Sequence, residues 1–172
     1  RVFTRVDSAE RVPTQHALDF GSDGVILPQI ADLAHAERAA RFAKYPPIGS
    51  RGFGGGRTVG YLPAPGHFVA EENERVKCWV MIETTGGIEN VDAILAVPEI
   101  DGIFIGPNDL SLALGRRPVS ESDDPLVSDT IRRIAARARA AGKIAAIFCS
   151  DGEGAARRIG EGFNFVVPGG DL

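Results

Sequence analysis

The chain has 172 residues, 44% of them hydrophobic and 24% charged, which supplies one globular core and excludes disorder and coiled coil. Lysine and arginine total 19 against 23 acidic residues, a net charge of -4, so composition advertises no nucleic-acid partner. No apolar run reaches the roughly 18 residues of a membrane span and no signal-peptide pattern opens the sequence, so the expectation is a cytoplasmic protein with no membrane partner. Cys78 and Cys149 stand in separate apolar runs, with neither Cys-x-x-Cys spacing nor a histidine cluster, and are expected to be buried, reduced thiols.

In chain order, residues 2–6 read as a strand, 13–20 as a helix and 24–28 as a second strand. Ile30, Leu33, Ala34 and Ala40 recur at helical spacing up to Phe42, with Glu37, Arg38 and Arg41 interleaved. Pro46 and Pro47 stop that helix. From 48 to 66 glycine and proline are dense and a long mobile loop is expected, a lid or, through Arg51 and Arg57, a phosphate wrap. A strand over 76–83, a helix over 87–96, a strand over 102–106 and a helical turn over 108–114 follow. Ile131, Ile134, Ala135 and Ala138 mark one face of a helix whose solvated face carries Arg132, Arg133, Arg137 and Arg139. Residues 143–148 read as a strand, 154–160 as a helix and 164–167 as a sixth strand.

Strands alternating with helices, with nearly continuous apolar runs such as Ile103, Phe104 and Ile105, predict a parallel sheet covered on both faces. No G-x-G-x-x-G joins a strand to a helix, so a (β/α)8 TIM barrel fits better than a doubly wound sheet. Six strands are two short of that barrel. The chain therefore reads as a single barrel domain over 1–172 that is a fragment of a longer one.

In parallel α/β folds the chemistry sits at the carboxyl ends of strands. The acids there are Glu83, after the third strand, and Asp109, after Gly106-Pro107-Asn108 at the end of the fourth. One βα unit separates them, so they should project into the same mouth from adjacent strands. Paired carboxylates without His or Cys suit Mg²⁺ or Mn²⁺; a glycosidase-like acid pair is the alternative. Arg5 closes the first strand, where a guanidinium can hold a substrate oxygen or an ordinary ion pair. Lys143 opens its strand, on the face away from the mouth, which argues against Schiff-base chemistry. His16, His35 and His67 face no strand end.

Three ordered stretches carry a resemblance: Tyr45-Pro46-Pro47-Ile48-Gly49-Ser50-Arg51-Gly52, Met81-Ile82-Glu83-Thr84, and Gly102 through Leu110 reading GIFIGPNDL. They resemble the HpcH/HpaI aldolases, class II metal-dependent pyruvate aldolases related to the citrate lyase beta subunit, along the whole chain. The resemblance implies a barrel of the phosphoenolpyruvate/pyruvate type in which Glu83 and Asp109 bind Mg²⁺, Mn²⁺ or Co²⁺ and a 2-oxo acid chelates the metal. It implies that Arg5 holds the keto oxygen, that Gly106, Pro107, Asn108 and Asp109 present backbone to the carboxylate, and that Phe148 packs on the substrate. Asp19 matches an acid that the family pairs with a catalytic histidine, and in this helix it is equally readable as a surface acid. That histidine is expected on a strand and loop preceding Arg5, and two N-terminal strands and a closing C-terminal helix are expected outside 1–172.

The activity so implied is cleavage of 4-hydroxy-2-oxo acids to pyruvate and an aldehyde, in sugar-acid or aromatic catabolism, by a homo-oligomer that the family makes a hexamer. Two alternatives stand beside it: an acyl-CoA lyase of the citrate or malyl type, and a non-catalytic barrel subunit. The base-less chain alone is expected to have little activity.

Overall fold

The computed structural model describes residues 1–169, and the family helix expected beyond Leu172 lies outside them. Strands β1 (Phe3–Arg5), β2 (Gly24–Leu27), β3 (Lys77–Met81), β4 (Gly102–Ile105), β5 (Ile144–Cys149) and β6 (Phe165–Pro168) form one parallel sheet in sequence order. The helices are α1 (Arg11–Asp19), α2 (Leu33–Arg41), α3 (Phe68–Arg75), α4 (Thr85–Glu89), α5 (Val91–Leu95), α6 (Pro107–Ala113), α7 (Pro125–Ala140) and α8 (Gly152–Gly160). All six expected strands are present.

The strand period of two sorts side chains between two faces. Val25, Leu27, Cys78, Val80, Ile103, Ile105, Ala145 and Ile147 pack with Leu18, Ala36, Ala40, Ile94, Ile131, Ile134 and Ala138 of the helices. The opposite cluster, Ile26, Trp79, Met81, Phe104 and Ala146, contains no helical residue. Both faces are buried, as the apolar runs predicted: the outer one by helices, the inner one because the sheet curls on itself. Phe3 of β1 stacks on Trp79 at 4.2 Å between centroids, and Phe165 of β6 meets the same indole edge-on at 4.9 Å. The first and last strands thus approach one central ring without pairing, and the sheet is a half-barrel closed by aromatic contact along its concave side.

Helix starts are written locally. Asp32, Thr84, Asp124 and Asp151 each accept a backbone N–H from the first turn of the helix they precede, satisfying donors that the helix cannot. Pro107 and Pro125 occupy first-turn positions where no N–H is needed. The arginine face of α7 is exposed as expected.

Three segments differ from the sequence reading. The helix expected over 87–96 is broken at Asn90, whose side-chain amide donates to the Gly86 carbonyl. The 48–66 segment is anchored at its start rather than free: Arg51 is 2% exposed. Its remainder contains one 3₁₀ turn, Gly56–Val59, and is followed by α3, which the hydropathy pattern does not announce.

Both cysteines are free and buried. Burial pushes the Cys78 thiol up to about 12, and burial also raises Cys149. A thiolate is the reactive form, so neither should react with an aromatic disulfide reagent at pH 8 in the native protein, and both should after unfolding in guanidinium. A thiol titrating at once in the native state would show that the sheet opens.

Candidate functional site

The loops after β2 and β3 are knitted together. The Thr84 hydroxyl donates to the Ile30 carbonyl at 2.5 Å, and Gly86 sits so close to Ala31 that a Cβ would lie 1.9 Å from its carbonyl oxygen. This brings Gln29, two residues beyond β2, against Glu83, two residues beyond β3. The Gln29 backbone N–H donates to Glu83 Oε1 at 2.9 Å and its side-chain Nε2 donates to the same oxygen at 3.1 Å. Nε2 also reaches Asp109 Oδ1 at 3.4 Å. The two carboxylates are therefore neighbours across the mouth, as one-unit spacing required.

Glu83 is 3% exposed, and its second oxygen, Oε2, is buried with no hydrogen-bond partner. Burial pushes the carboxyl above the usual carboxylate range; the Gln29 N–H groups and Arg5 act the other way, and the Asp109 charge adds to the rise. An orphaned carboxylate oxygen beside a second carboxylate is the donor set of a hard cation. Gly106 lines this spot: a Cβ there would stand 2.3 Å from Oε2. Among the described residues no three His, Cys, Asp or Glu converge, so a cation here would take most of its ligands from substrate and water.

Beside the pair opens a cavity of about 220 Å³ lined by Arg5, Met81, Phe104, Gly106, Pro107, Asn108, Asp109 and Phe148. The sequence reading singled out Arg5, Gly106, Pro107, Asn108, Asp109 and Phe148, and the structure brings these six to one cavity; it did not single out Met81 and Phe104, which also line it, or Gln29 beside Glu83. Arg5 stands at the end of β1 with Nη1 donating to the Val6 carbonyl at 3.4 Å, and it lines the cavity. Ser120 from the segment before α7 contacts Asn108 Oδ1 through its hydroxyl at 3.2 Å.

Asp19 is not brought to this cavity. It ends α1 and accepts a 2.7 Å hydrogen bond from Arg51 Nη2. Arg51 in turn lies 4.6 Å over the Tyr45 ring and 3.6 Å from Glu72. The arginine of the Tyr-Pro-Pro stretch is thus a buried clamp, which corrects the phosphate-wrap option for it. Arg51→Met should cost about 3 kcal/mol in urea unfolding, the low end for a broken buried pair because Asp19 keeps 35% of its side-chain surface in water. A loss below 0.5 kcal/mol would mean that the clamp is ornamental.

Lys143 donates to the Ile100 and Val97 carbonyls beneath β4, on the face away from the mouth, as expected. His35 accepts the Ala31 N–H through Nδ1 in the first turn of α2, and His67 precedes α3 with Nε2 3.7 Å from Glu71. None of the three histidines lines the cavity.

A family model described as HpcH/HpaI aldolase/citrate lyase matches residues 1–172. The hydroxypyruvate/pyruvate aldolase of Rhizorhabdus wittichii is 38% identical over 170 residues, spanning 99% of this chain and 67% of that protein. The 5-keto-4-deoxy-D-glucarate aldolase of Salmonella paratyphi C is 36% identical over 168 residues, 98% of this chain and 65% of that one. A solved HpcH/HpaI family protein of Burkholderia cenocepacia superimposes with a TM-score of 0.90 at 28% identity, covering 98% of this chain and 66% of its own. The chain spans about two thirds of the length of these relatives. With its half-barrel, its paired carboxylates at adjacent strand ends and a match over its whole length, the chain belongs to the HpcH/HpaI aldolase/citrate lyase family.

Proposed function

We propose that the protein carrying this chain is a divalent-metal-dependent aldolase that cleaves 4-hydroxy-2-oxo acids to pyruvate and an aldehyde. The observation that carries the reading is the orphaned Glu83 Oε2, beside Asp109 and against the Arg5-lined cavity. The names of the two curated relatives, both aldolases, support the same reaction class.

Breaking the bond next to a carbinol leaves negative charge on the pyruvate half, and the site must stabilise it. Glu83 and Asp109 would hold Mg²⁺, Mn²⁺ or Co²⁺, which supplies Lewis-acid polarisation of the 2-oxo group when bound. Arg5 donates to the keto oxygen and offsets the charge that develops there. The backbone at Gly106, Asn108 and Asp109 faces the substrate carboxylate; Pro107 has no N–H to offer and sets the start of α6. Phe148, Phe104 and Met81 wall the cavity with apolar surface and exclude water from the reacting carbons.

A base must accept the 4-hydroxyl proton. The family resemblance gives this role to a histidine paired with the position of Asp19, whose carboxylate Arg51 fixes in place; His16, His35 and His67 do not line the cavity. Assembly as a homo-oligomer, a hexamer in the family, and action on soluble 2-oxo acids in the cytoplasm belong to the same proposal.

The test is pyruvate release by the full-length protein from oxaloacetate and from a 4-hydroxy-2-oxo acid, with Mn²⁺ and with chelator. Metal-dependent release from both is expected. A folded protein silent on both, but active on a malyl-CoA-type ester, would move the assignment to the acyl-CoA branch.

A further inference from the structure

Gln29 stands out because its two donors converge on one oxygen. Its main-chain N–H and its side-chain Nε2 both bind Glu83 Oε1, at 2.9 and 3.1 Å, which leaves Oε2 as the only free oxygen of that carboxylate. The same Nε2 reaches Asp109 Oδ1 at 3.4 Å, so one amide spans both acids. The Gln29 backbone lies in the left-handed region, with φ of 53°, a conformation uncommon outside glycine and held at a cost in strain. Gln29 is exposed and belongs to neither hydrophobic cluster, so packing does not explain its placement. The conformation is what aims its N–H at Glu83.

We propose that Gln29 is a positioning residue that commits Glu83 Oε1 to the protein, presents Oε2 alone to a cation, and thereby sets the cation affinity of the carboxylate pair; the inference rests on the metal-dependent reading above. A neutral amide suits the task. It orders two negative groups while leaving their charge intact, where an ammonium would cancel that charge and a third carboxylate would add repulsion. With one oxygen from Glu83, a cation held by the pair would keep room for substrate and water ligands.

Mn²⁺ dissociation constants, read from the electron paramagnetic resonance of free Mn²⁺ with full-length protein, test this together with melting temperatures in chelator. Gln29→Met keeps the length of the side chain and removes the amide; about tenfold weaker Mn²⁺ binding is expected, the low end for loss of an outer-sphere partner, with the metal-free melting temperature unchanged. Gln29→Lys puts an ammonium where the amide bridges the acids, and should weaken Mn²⁺ binding further than Gln29→Met. If wild type binds Mn²⁺ and both variants stay within twofold of it, Gln29 has no such role and the metal reading survives. Weakening accompanied by a large drop in the metal-free melting temperature would make the role one of folding and overturn the inference. A wild type that does not bind Mn²⁺ overturns the metal reading itself.

Discussion

Glu83→Gln is expected to leave the protein folded while Mn²⁺ affinity falls about a hundredfold or more and pyruvate release falls roughly a thousandfold, the range for losing a principal electrostatic stabiliser. The carboxylate is buried with one oxygen unpartnered, so in the metal-free protein it is a cost that folding carries. A neutral amide relieves that cost, and its carbonyl can still accept the two Gln29 N–H groups. The melting temperature in chelator should therefore hold or rise. What disappears is half of the negative charge that would attract a cation. Calorimetric Mn²⁺ titration and a coupled pyruvate assay on the same preparation measure both effects, and undiminished Mn²⁺ binding by the variant would remove Glu83 from the ligand set.

Gly106→Ala should damage the same centre from the opposite side. Gly106 has φ of -97° and ψ of 97°, which alanine adopts without strain, so the backbone does not demand glycine. Space does. The new methyl would stand 2.3 Å from Glu83 Oε2 and 3.0 Å from Met81 Cε. The Met81 tip can yield, since thioether side chains repack at low cost. Glu83 cannot swing as easily, because Gln29 holds its other oxygen twice over. The carboxylate must turn away from the cation position. We expect a stability loss of about 1 kcal/mol, comparable to mild overpacking, alongside a ten- to hundredfold loss of Mn²⁺ affinity as for a disturbed ligand shell. Equal metal affinity in the alanine variant would mean that Oε2 does not face the ligand.

The strands were legible because parallel sheets bury both faces and write themselves as apolar runs. The carboxylate pair was legible for a related reason: strand-end position and one-unit spacing are properties of the chain alone. Helix α3 was not. Its buried residues are Glu72 and Asn73, which no apolar pattern reveals. Asn73 faces inward because its amide group bonds both the N–H and the carbonyl of Tyr45, at 2.7 and 3.1 Å, and Glu72 because the buried Arg51 guanidinium stands 3.6 Å from it. Gln29 went unread although it also follows a strand, since its importance depends on a left-handed backbone that nothing about glutamine signals. The Asp19–Arg51 pair joins distant residues through burial, which spacing does not encode.

The order of the sheet bears on how the molecule comes to be made. Each strand pairs only with the strands next to it in the chain, so every βα unit finds its docking edge already laid down by the preceding one. The loops so closed are unequal, from 19 residues between Ala146 and Phe165 to 53 between Gly24 and Lys77, so the β2–β3 pairing is the slow step of assembly. On a ribosome the growing sheet would always offer a single fresh edge, at its newest strand, and that edge would be capped within the synthesis time of one further unit. Trp79 waits longest: the ring that stacks on it from β1 is made early, and the one that meets it from β6 arrives only when the last strand has emerged.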